Sequence, residues 1–164
     1  MKILVTGGCG YIGSTLIPKL LGAGHKVLSI DNQLFGNFLS KHKNLENIKM
    51  NIGNIKETNI KNIDTVIHLA SISNDPSALI NSKITWETNV LYTLKLLNLC
   101  KEKRIKKFIF ASSGSVYGVS KKRKVDENSN LVPISDYNKT KMIGEKLVQG
   151  YKNFFDTIIL RPGT

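Results

Sequence analysis

The chain has 164 residues, of which 41% are hydrophobic, and this is enough for one globular domain with a substantial core. No stretch approaches the roughly 18 consecutive apolar residues of a membrane-spanning helix, and the N-terminus has the pattern of a β-strand rather than a signal peptide. We therefore expect a cytoplasmic protein without a membrane partner.

The formal net charge is +12, and nearly all of the basic residues are lysines. A lysine-rich surface of this kind is explained more simply by biased codon usage than by attraction of anionic partners. Nucleic acid is therefore the less favoured partner. The densest basic run, residues 121–124, is interpreted as a solvated face.

An apolar strand at the N-terminus leads directly into a glycine-rich run, residues 7–13 (GGCGYIG). Gly7, Gly10 and Gly13 match the dinucleotide-binding fingerprint, in which they serve the tight turn, the approach to a pyrophosphate and the packing of helix on sheet. Gly8 is interpreted as an additional glycine. The helix that follows offers free N–H groups to phosphates. The pattern predicts a nucleotide-binding loop.

An acidic residue, Asp31, ends the second predicted strand, residues 25–30. A carboxylate at this distance after the glycine run accepts hydrogen bonds from both ribose hydroxyls and repels a 2′-phosphate, which favours NAD over NADP. The alternative is an acidic turn residue without a ligand.

Strands and helices alternate through the rest of the chain. Further strands are predicted at 47–52, 64–70, 106–111 and 156–161, and helices at 14–23, 84–103 and 136–153, with a weak helix within 55–60 and loops over 71–76 and 112–134. On the long helix the buried face is assigned to Trp86, Val90, Leu94, Leu97 and, less firmly, Leu91.

This alternation predicts one α/β domain of the Rossmann type over residues 1–164. Its doubly wound parallel sheet has six strands in the order 3-2-1-4-5-6. Ligand-binding residues are expected after strands one, two, four and five, where the carboxyl ends of the strands meet the topological switch point.

A serine-rich segment follows the fifth strand, and a Tyr-x-x-x-Lys motif opens the last helix. Tyr137 and Lys141 lie one turn apart on the same helical face. An ammonium beside a phenol lowers the phenol pKa from about 10, and the positive nicotinamide of bound NAD would add to this. A nearby serine can hold a substrate oxygen while the phenolate takes its proton. The motif is common by chance, but here it follows both the glycine-rich loop and the serine-rich segment. This placement makes it the catalytic candidate.

Together these motifs resemble the extended short-chain dehydrogenases/reductases, in the NAD-dependent epimerase/dehydratase branch that acts on nucleotide sugars. The matching segments run from end to end of the chain in the family's order. They are residues 6–13 (TGGCGYIG), 31–32 (DN), 64–70 (DTVIHLA), 89–90 (NV), 112–118 (SSGSVYG), 137–141 (YNKTK) and 160–162 (LRP).

The resemblance implies NAD as the cofactor and assigns roles to individual residues. Cofactor-binding positions are Gly7, Gly10, Tyr11, Ile12 and Gly13 at the pyrophosphate, Asp31 and Asn32 at the adenosine ribose, Asn51 and Ile52 at the adenine, and Leu69, Ala70, Ser71, Asn89, Tyr137 and Lys141 along the rest of the cofactor. Ser113 would be the catalytic serine, Tyr137 the base, and Lys141 its tuner and a ribose ligand. No metal ligand is implied.

The chain departs from the family pattern at three places. Asn51 replaces an aspartate, and its amide can still pair with adenine, so binding should weaken modestly. Family dehydratases carry acidic residues directly after the catalytic Ser/Thr, where this chain has Gly114 and Ser115. The chain also ends just past the sixth strand, whereas the family continues into a substrate-binding region. We expect that region to be absent here and the chain alone to be inactive.

The leading hypothesis is an NAD-dependent nucleotide-sugar epimerase whose sugar nucleotide binds only with the C-terminal region. Related alternatives are a nucleotide-sugar dehydrogenase, reductase or dehydratase, of which the 4,6-dehydratase is disfavoured by Gly114 and Ser115. A non-catalytic NAD-sensing or nucleic-acid-binding module is the alternative from another class. The complete set of Ser113, Tyr137 and Lys141 favours catalysis. A homodimer is left open.

Overall fold

Six parallel strands form one sheet in the order β3-β2-β1-β4-β5-β6, which confirms the predicted topology. The computed structural model describes residues 1–119 and 124–163, so most of the basic run at 121–124 lies outside the described residues. The strands are β1 (Lys2–Thr6), β2 (Lys26–Asp31), β3 (Leu45–Lys49), β4 (Thr65–His68), β5 (Lys107–Ala111) and β6 (Asp156–Leu160).

Helices cover both faces of the sheet, as a doubly wound fold requires. They are α1 (Tyr11–Gly22), α2 (Asp75–Ile80), α3 (Ser82–Trp86), a π-helical segment (Glu87–Leu91), α4 (Tyr92–Glu102) and α5 (Asp136–Gly150), with short 3₁₀ turns at Ile52–Asn54, Glu57–Ile60 and Gly114–Tyr117. None of the helices in the described ranges is both long and apolar enough to cross a membrane.

Two hydrophobic clusters lie on the two sides of the central strands. The larger includes Leu4, Val66 and Phe108, and the smaller joins Val5 and Ile17 with neighbours from β2 and β4. All residues of β4 are buried, as expected for a central parallel strand. The carboxyl ends of β1 and β4 therefore meet at the middle of one sheet edge, with solid core beneath them.

The long helix differs from its prediction because its backbone contains a π-helical turn. A π turn adds a residue to the helical repeat, so positions beyond it rotate relative to an ideal α-helix. The fully buried positions are Thr85, Asn89, Thr93, Leu96, Leu97 and Cys100. Only Leu97 of the predicted inner face is among them, and Leu91 is 57% exposed. Trp86, Val90 and Leu94, also predicted for the inner face, are half-buried, and the prediction is wrong for Leu91.

Two side-chain caps shift other predicted boundaries. The Asn51 side chain accepts a hydrogen bond from the Gly53 N–H at 2.8 Å and starts a 3₁₀ turn, so β3 ends earlier than predicted and Asn51 lies beyond it. The Asn74 side chain caps α2 by accepting from the Ser77 N–H at 2.8 Å, so the predicted loop at 71–76 ends in helix.

A buried ion pair joins the end of β6 to α5. Arg161 donates from Nε and Nη2 to the two carboxylate oxygens of Glu145, at 2.8 and 2.7 Å, and the Glu145 side chain is 0% exposed. The Ser112 hydroxyl donates to the same carboxylate, and Arg161 also donates to the Tyr117 hydroxyl at 2.8 Å. This network fixes the segment after β5 against the helix that carries Tyr137.

Replacing Arg161 should destabilise the fold strongly. Arg161→Met leaves the Glu145 carboxylate buried without its cation, so the free energy of unfolding should fall by about 3–5 kcal/mol. Lys103→Met is the matched control, because it breaks the exposed Lys103–Glu57 pair and should cost less than about 1 kcal/mol. Urea unfolding measures both. Equal effects of the two changes would contradict this account.

Candidate functional site

The phosphate loop lies directly on the backbone that follows β4. Gly7 has a φ of +75°, and a Cβ on it would lie 2.6 Å from the Ala70 nitrogen. A side chain at this position would therefore collide with main-chain atoms that cannot move aside. The turn out of β1 and the exit from β4 are locked together at the topological switch point.

Gly8 and Gly13 both lie at close contacts between the loop, the helix and the sheet. A Cβ on Gly8 would overlap the Ser29 hydroxyl of β2 and lie 2.7 Å from Ile17 Cδ1 of α1. A Cβ on Gly13 would instead meet the loop's own carbonyl oxygens, 2.5 Å from that of Gly8. Gly8 lies outside the fingerprint spacing, but a side chain here would displace those of Ser29 and Ile17.

The loop and the start of α1 fit a pyrophosphate. A Cβ on Gly10 would meet only the Gly7 carbonyl oxygen, at 3.3 Å, and otherwise open space in front of the helix. The Tyr11 and Ile12 side chains at the start of this helix are 96% and 48% exposed. The first N–H groups of a helix lack intrahelical partners and attract anions.

Asp31 sits beside this loop and is held in place by backbone donors. The Cys9 N–H donates to its Oδ2 at 3.0 Å, and the Gln33 N–H donates to its Oδ1 at 2.6 Å. Each carboxylate oxygen keeps lone pairs for a further donor, as two ribose hydroxyls would require. The neighbouring Asn32 uses its side-chain oxygen to accept the Leu34 N–H at 3.1 Å.

A solvent-filled groove of about 820 Å³ continues from the ends of β2 and β3. Its lining residues are Asn32, Lys49, Met50, Asn51, Gly53, Asn54, Lys56 and Lys95. Asn51 thus lines the groove as well as capping a turn. Ile52 is buried in the core and is not among the lining residues, so its contact with an adenine remains a prediction.

Asn89 holds the segment after β4, which contains Leu69, Ala70 and Ser71. Its side-chain oxygen accepts the Ile72 N–H at 2.8 Å, and its amide nitrogen donates to the Ile72 carbonyl at 3.1 Å and to Thr140 Oγ1 at 3.0 Å. We call this arrangement the Asn89 clamp. The Asn89 amide is buried, and both of its N–H groups are hydrogen-bonded, so it holds the segment after β4 in place. A direct contact between Asn89 and a cofactor remains a prediction.

Tyr137 and Lys141 are both buried on α5, next to the end of β5. Ser135 caps this helix, and Gly144 lets it approach the sheet, since a Cβ there would lie 2.6 Å from Phe110 Cζ. The Lys141 ammonium donates to the Ala111 carbonyl at 2.8 Å and lies 5.8 Å from the Tyr137 ring centroid. The predicted pairing of these two residues on one face is present.

Burial dominates the acid–base properties of the pair. It raises the pKa of Tyr137, which a hydrogen bond with Ser113 lowers and the Asp75 carboxylate raises further. Burial also lowers the pKa of Lys141 to about 8. In the chain alone, the expected lowering of the phenol pKa is therefore wrong, because desolvation of the phenolate outweighs the hydrogen bond with Ser113.

Ser113 begins the 3₁₀ turn after β5 and faces the same site. Its hydroxyl accepts the Ser115 N–H at 3.2 Å and lies 2.8 Å from the Ser115 hydroxyl. The Gly114 N–H donates to the Pro162 carbonyl at 2.8 Å, and a Cβ on Gly114 would lie 3.1 Å from that oxygen. A larger side chain at position 114, such as the acid of the family dehydratases, would crowd this contact.

The sequence analysis missed residues that support the site from behind. Thr140 joins the Asn89 clamp to α5, and Thr93 and His68 lie beneath the clamp. The available signal was the spacing of Thr85, Asn89 and Thr93, polar residues that recur every helical turn on one face. In residues 1–119 and 124–163, no three His, Cys, Asp or Glu side chains converge as metal ligands.

A parallel sheet with a glycine-rich phosphate loop at its switch point and a buried Tyr–Lys pair at the next strand end defines a dinucleotide-binding α/β domain. The chain belongs to the NAD dependent epimerase/dehydratase family, whose family model matches residues 3–164. NAD, the cofactor expected from the sequence, is the cofactor of this family.

Relatives of the chain carry epimerase names. It is 39% identical to a Bacillus subtilis protein named as an uncharacterized UDP-glucose epimerase, YtcB, over 98% of this chain and 55% of that protein. Its identity to the UDP-glucose 4-epimerase of Lactobacillus helveticus is 32%, over 90% of this chain and 46% of that one. The chain thus spans about half the length of the curated relatives it matches.

Solved structures agree with this assignment. UDP-N-acetylglucosamine 4-epimerase from Methanobrevibacter ruminantium superposes with a TM-score of 0.92 at 32% identity, covering 98% of this chain and 54% of that one. UDP-glucuronic acid 4-epimerase from Bacillus cereus, in complex with UDP-glucuronic acid and NAD, gives 0.90 at 34% identity, covering 98% and 56%.

The chain should bind NAD more tightly than NADP because of Asp31. Its carboxylate repels a 2′-phosphate, so calorimetric titration should show NADP at least about tenfold weaker. Asp31→Asn removes this repulsion. The lysines of the neighbouring groove should then attract the 2′-phosphate and reduce the ratio of NAD affinity to NADP affinity. Asp64→Asn, at the opposite end of the strands, should leave the ratio unchanged. Equal or tighter NADP binding by the unsubstituted chain would contradict this account.

Lys141 should make stability depend on alkaline pH. With a folded pKa of about 8 against an ordinary value of 10.5, the unfolded chain binds a proton between these values that the folded chain lacks, so stability rises with pH there. Relative to Lys141→Met, the free energy of unfolding should rise by about 1–3 kcal/mol from pH 7 to pH 10. Both chains should carry Tyr137→Phe, so that the phenol does not titrate. A constant or falling difference would show that Lys141 stays charged in the folded chain.

Proposed function

We propose that this chain is the cofactor-binding and catalytic part of an NAD-dependent nucleotide-sugar epimerase, with a UDP-sugar as the substrate class. The observation that carries the proposal is the buried pair of Tyr137 and Lys141 beside Ser113, at the strand end next to the phosphate loop. The names of the relatives support the substrate class, since those proteins are epimerases of UDP-glucose, UDP-N-acetylglucosamine and UDP-glucuronic acid.

The proposed cofactor contacts follow the order of the strand ends. The loop at Gly7 to Gly13 and the start of α1 hold the pyrophosphate, Asp31 binds the adenosine ribose, and the segment at Leu69 to Ser71 lines the middle. When bound, NAD supplies a hydride acceptor and a positive charge at the reacting carbon.

The protein residues then handle the proton. Ser113 would orient the sugar hydroxyl, and Tyr137 would take its proton as the carbon that bears this hydroxyl gives up hydride and becomes the ketone. Lys141 stabilises the phenolate that this requires, because its ammonium is fixed by the Ala111 carbonyl and lies 5.8 Å from the Tyr137 ring centroid. Burial, which opposes the phenolate in the chain alone, strengthens this attraction once the opposite charges are present together. Tyr137 returns the proton after the keto sugar has presented its other face.

Epimerisation is favoured over dehydration by the residues after Ser113. Elimination of water needs an acid close to the sugar, and position 114 is a glycine packed against the Pro162 carbonyl. Ser115 is occupied by its hydrogen bond with Ser113. Neither residue can donate a proton as a carboxylic acid does.

The relatives are about twice as long as this chain, and we propose that their additional residues bind the sugar. Hydride transfer needs the sugar carbon held next to the cofactor. Positioning of this kind lowers a reaction barrier by roughly 7–11 kcal/mol. We infer that the 164 residues bind NAD, and that turnover needs the additional residues that the relatives contain.

Tyr137→Phe should abolish most of the turnover in a polypeptide that includes such a sugar-binding region. Removing the phenol oxygen removes the general base, so turnover should fall by about 10²-fold or more. NAD affinity should change little, since the ring is kept. Tyr151→Phe is the control: it removes a phenol from the end of the same helix, where it donates to Asn98, and should leave turnover intact.

Turnover is measured by NMR detection of the epimer formed from a UDP-sugar. A Tyr137→Phe protein that works at the parent rate would contradict the assignment of the base. A keto or unsaturated product as the final product, rather than the epimer, would contradict the epimerase.

A further inference from the structure

His68 lies at the centre of the molecule and takes no part in the chemistry proposed above. It is the last residue of β4, it is 1% exposed, and the ring centroids of Phe108 and Phe110 each lie 5.8 Å from its own. Both of its nitrogens are nevertheless hydrogen-bonded: Nδ1 lies 2.7 Å from Thr6 Oγ1, and Nε2 lies 2.8 Å from Thr93 Oγ1.

The direction of these hydrogen bonds follows from counting protons. When Thr93 donates its only hydroxyl proton to the Asn89 carbonyl at 2.9 Å, its oxygen is left to accept from His68 Nε2. Nδ1 is then the acceptor and Thr6 the donor. Burial, together with the nearby Lys141 charge, lowers the pKa of His68 to about 3 and keeps the ring neutral, so only one of the two nitrogens carries a proton.

The two threonines lead to opposite sides of the cofactor site. Thr6 ends β1 directly before Gly7, and its carbonyl accepts the Leu69 N–H at 3.0 Å. Thr93 leads through Asn89 to the clamp on Ile72, described above.

The clamp continues to the catalytic helix. Asn89 donates to Thr140, and Thr140 donates to the Tyr137 carbonyl at 2.8 Å. Two sets of hydrogen bonds, one to the Asn89 carbonyl and one from its side-chain amide, therefore connect the phosphate-loop strand to the backbone of the proposed base through Asn89 itself.

We propose that His68, as its neutral Nε2–H tautomer, is a positioning residue that fixes the phosphate-loop strand against the Asn89 clamp and so holds both sides of the cofactor site in register. In the Nδ1–H tautomer, the Thr93 hydroxyl would have to leave the Asn89 carbonyl in order to donate to Nε2. The inference rests on the cofactor site of the proposed function, but its first tests need no cofactor.

The tautomer can be observed directly in the 164-residue chain. Nitrogen-15 NMR of labelled histidines distinguishes the two neutral tautomers and the cation, and the chain has only three histidines to assign. We expect His68 to carry its proton on Nε2 from pH 5 to pH 8. A proton on Nδ1, or a charged ring at pH 7, would overturn the proposal.

The positioning role is tested with two buried threonines of the same long helix. Thr93→Val removes the acceptor of His68 while keeping the side-chain volume, and Thr93→Ser restores it. Thr85→Val is the matched control, because Thr85 is equally buried. Its hydroxyl donates to the carbonyl oxygens of Ala78 and Asn81, which lie outside the series that connects His68 to the clamp. Thr93→Val should accelerate hydrogen exchange of the Ile72 amide about tenfold, and Thr85→Val and Thr93→Ser should not.

NAD affinity gives the functional readout. Thr93→Val should weaken NAD binding by about tenfold, with Thr93→Ser and Thr85→Val close to the parent. Equal effects of Thr93→Val and Thr85→Val on exchange and affinity, or failure of Thr93→Ser to restore them, would show a merely structural role. If the unsubstituted chain does not bind NAD, the proposed function fails, and the tautomer and the Ile72 exchange still decide the positioning of the segment.

Discussion

The main chain of the phosphate loop touches the main chain after β4, and the site depends on this contact. The loop turns at Gly7 onto the Ala70 backbone, and Gly8 packs between Ser29 of β2 and Ile17 of α1. Asp31 also holds the loop, because its carboxylate accepts a hydrogen bond from the Cys9 N–H. Because these are backbone contacts and short hydrogen bonds, the loop has its shape before a pyrophosphate arrives. The cost of ordering it upon binding is correspondingly small.

The electrostatics of the site follow from the burial of one cation. Lys141 lies among aromatic rings with a backbone carbonyl as its hydrogen-bond acceptor, and its pKa falls to about 8. Tyr137 shares the apolar surroundings, and its pKa rises. At pH 7 the chain alone thus keeps Lys141 largely cationic and Tyr137 neutral. On the proposed function, positive charge that enters with the cofactor favours the Tyr137 phenolate, which would link cofactor binding to activation of the base.

The sequence predicts those parts of the fold and the site that local patterns encode. The strand order, the loop at Gly7 and the pairing of Tyr137 with Lys141 all depend on short motifs and on the alternation of strands and helices, and the structure contains them. The inner face of the long helix was wrong at Leu91 because a π turn is not visible in an apolar repeat. The phenol pKa was wrong because it depends on burial by distant residues. The Arg161–Glu145 pair and the His68 hydrogen bonds join residues that are remote in the chain, so local reading cannot find them.

The central claim is that NAD occupies the edge of the sheet where β1, β4 and β5 end. Titration of the nitrogen-15-labelled 164-residue chain with NAD tests this most directly, because every backbone amide reports its own environment. The account predicts saturable shifts concentrated at residues 7–13, 31–33 and 69–72 and at Ser113, on one edge of the sheet. Saturable shifts confined to the opposite ends of the strands, near Lys2, Asp64 and Asp156, or no saturable shifts at all, would contradict it.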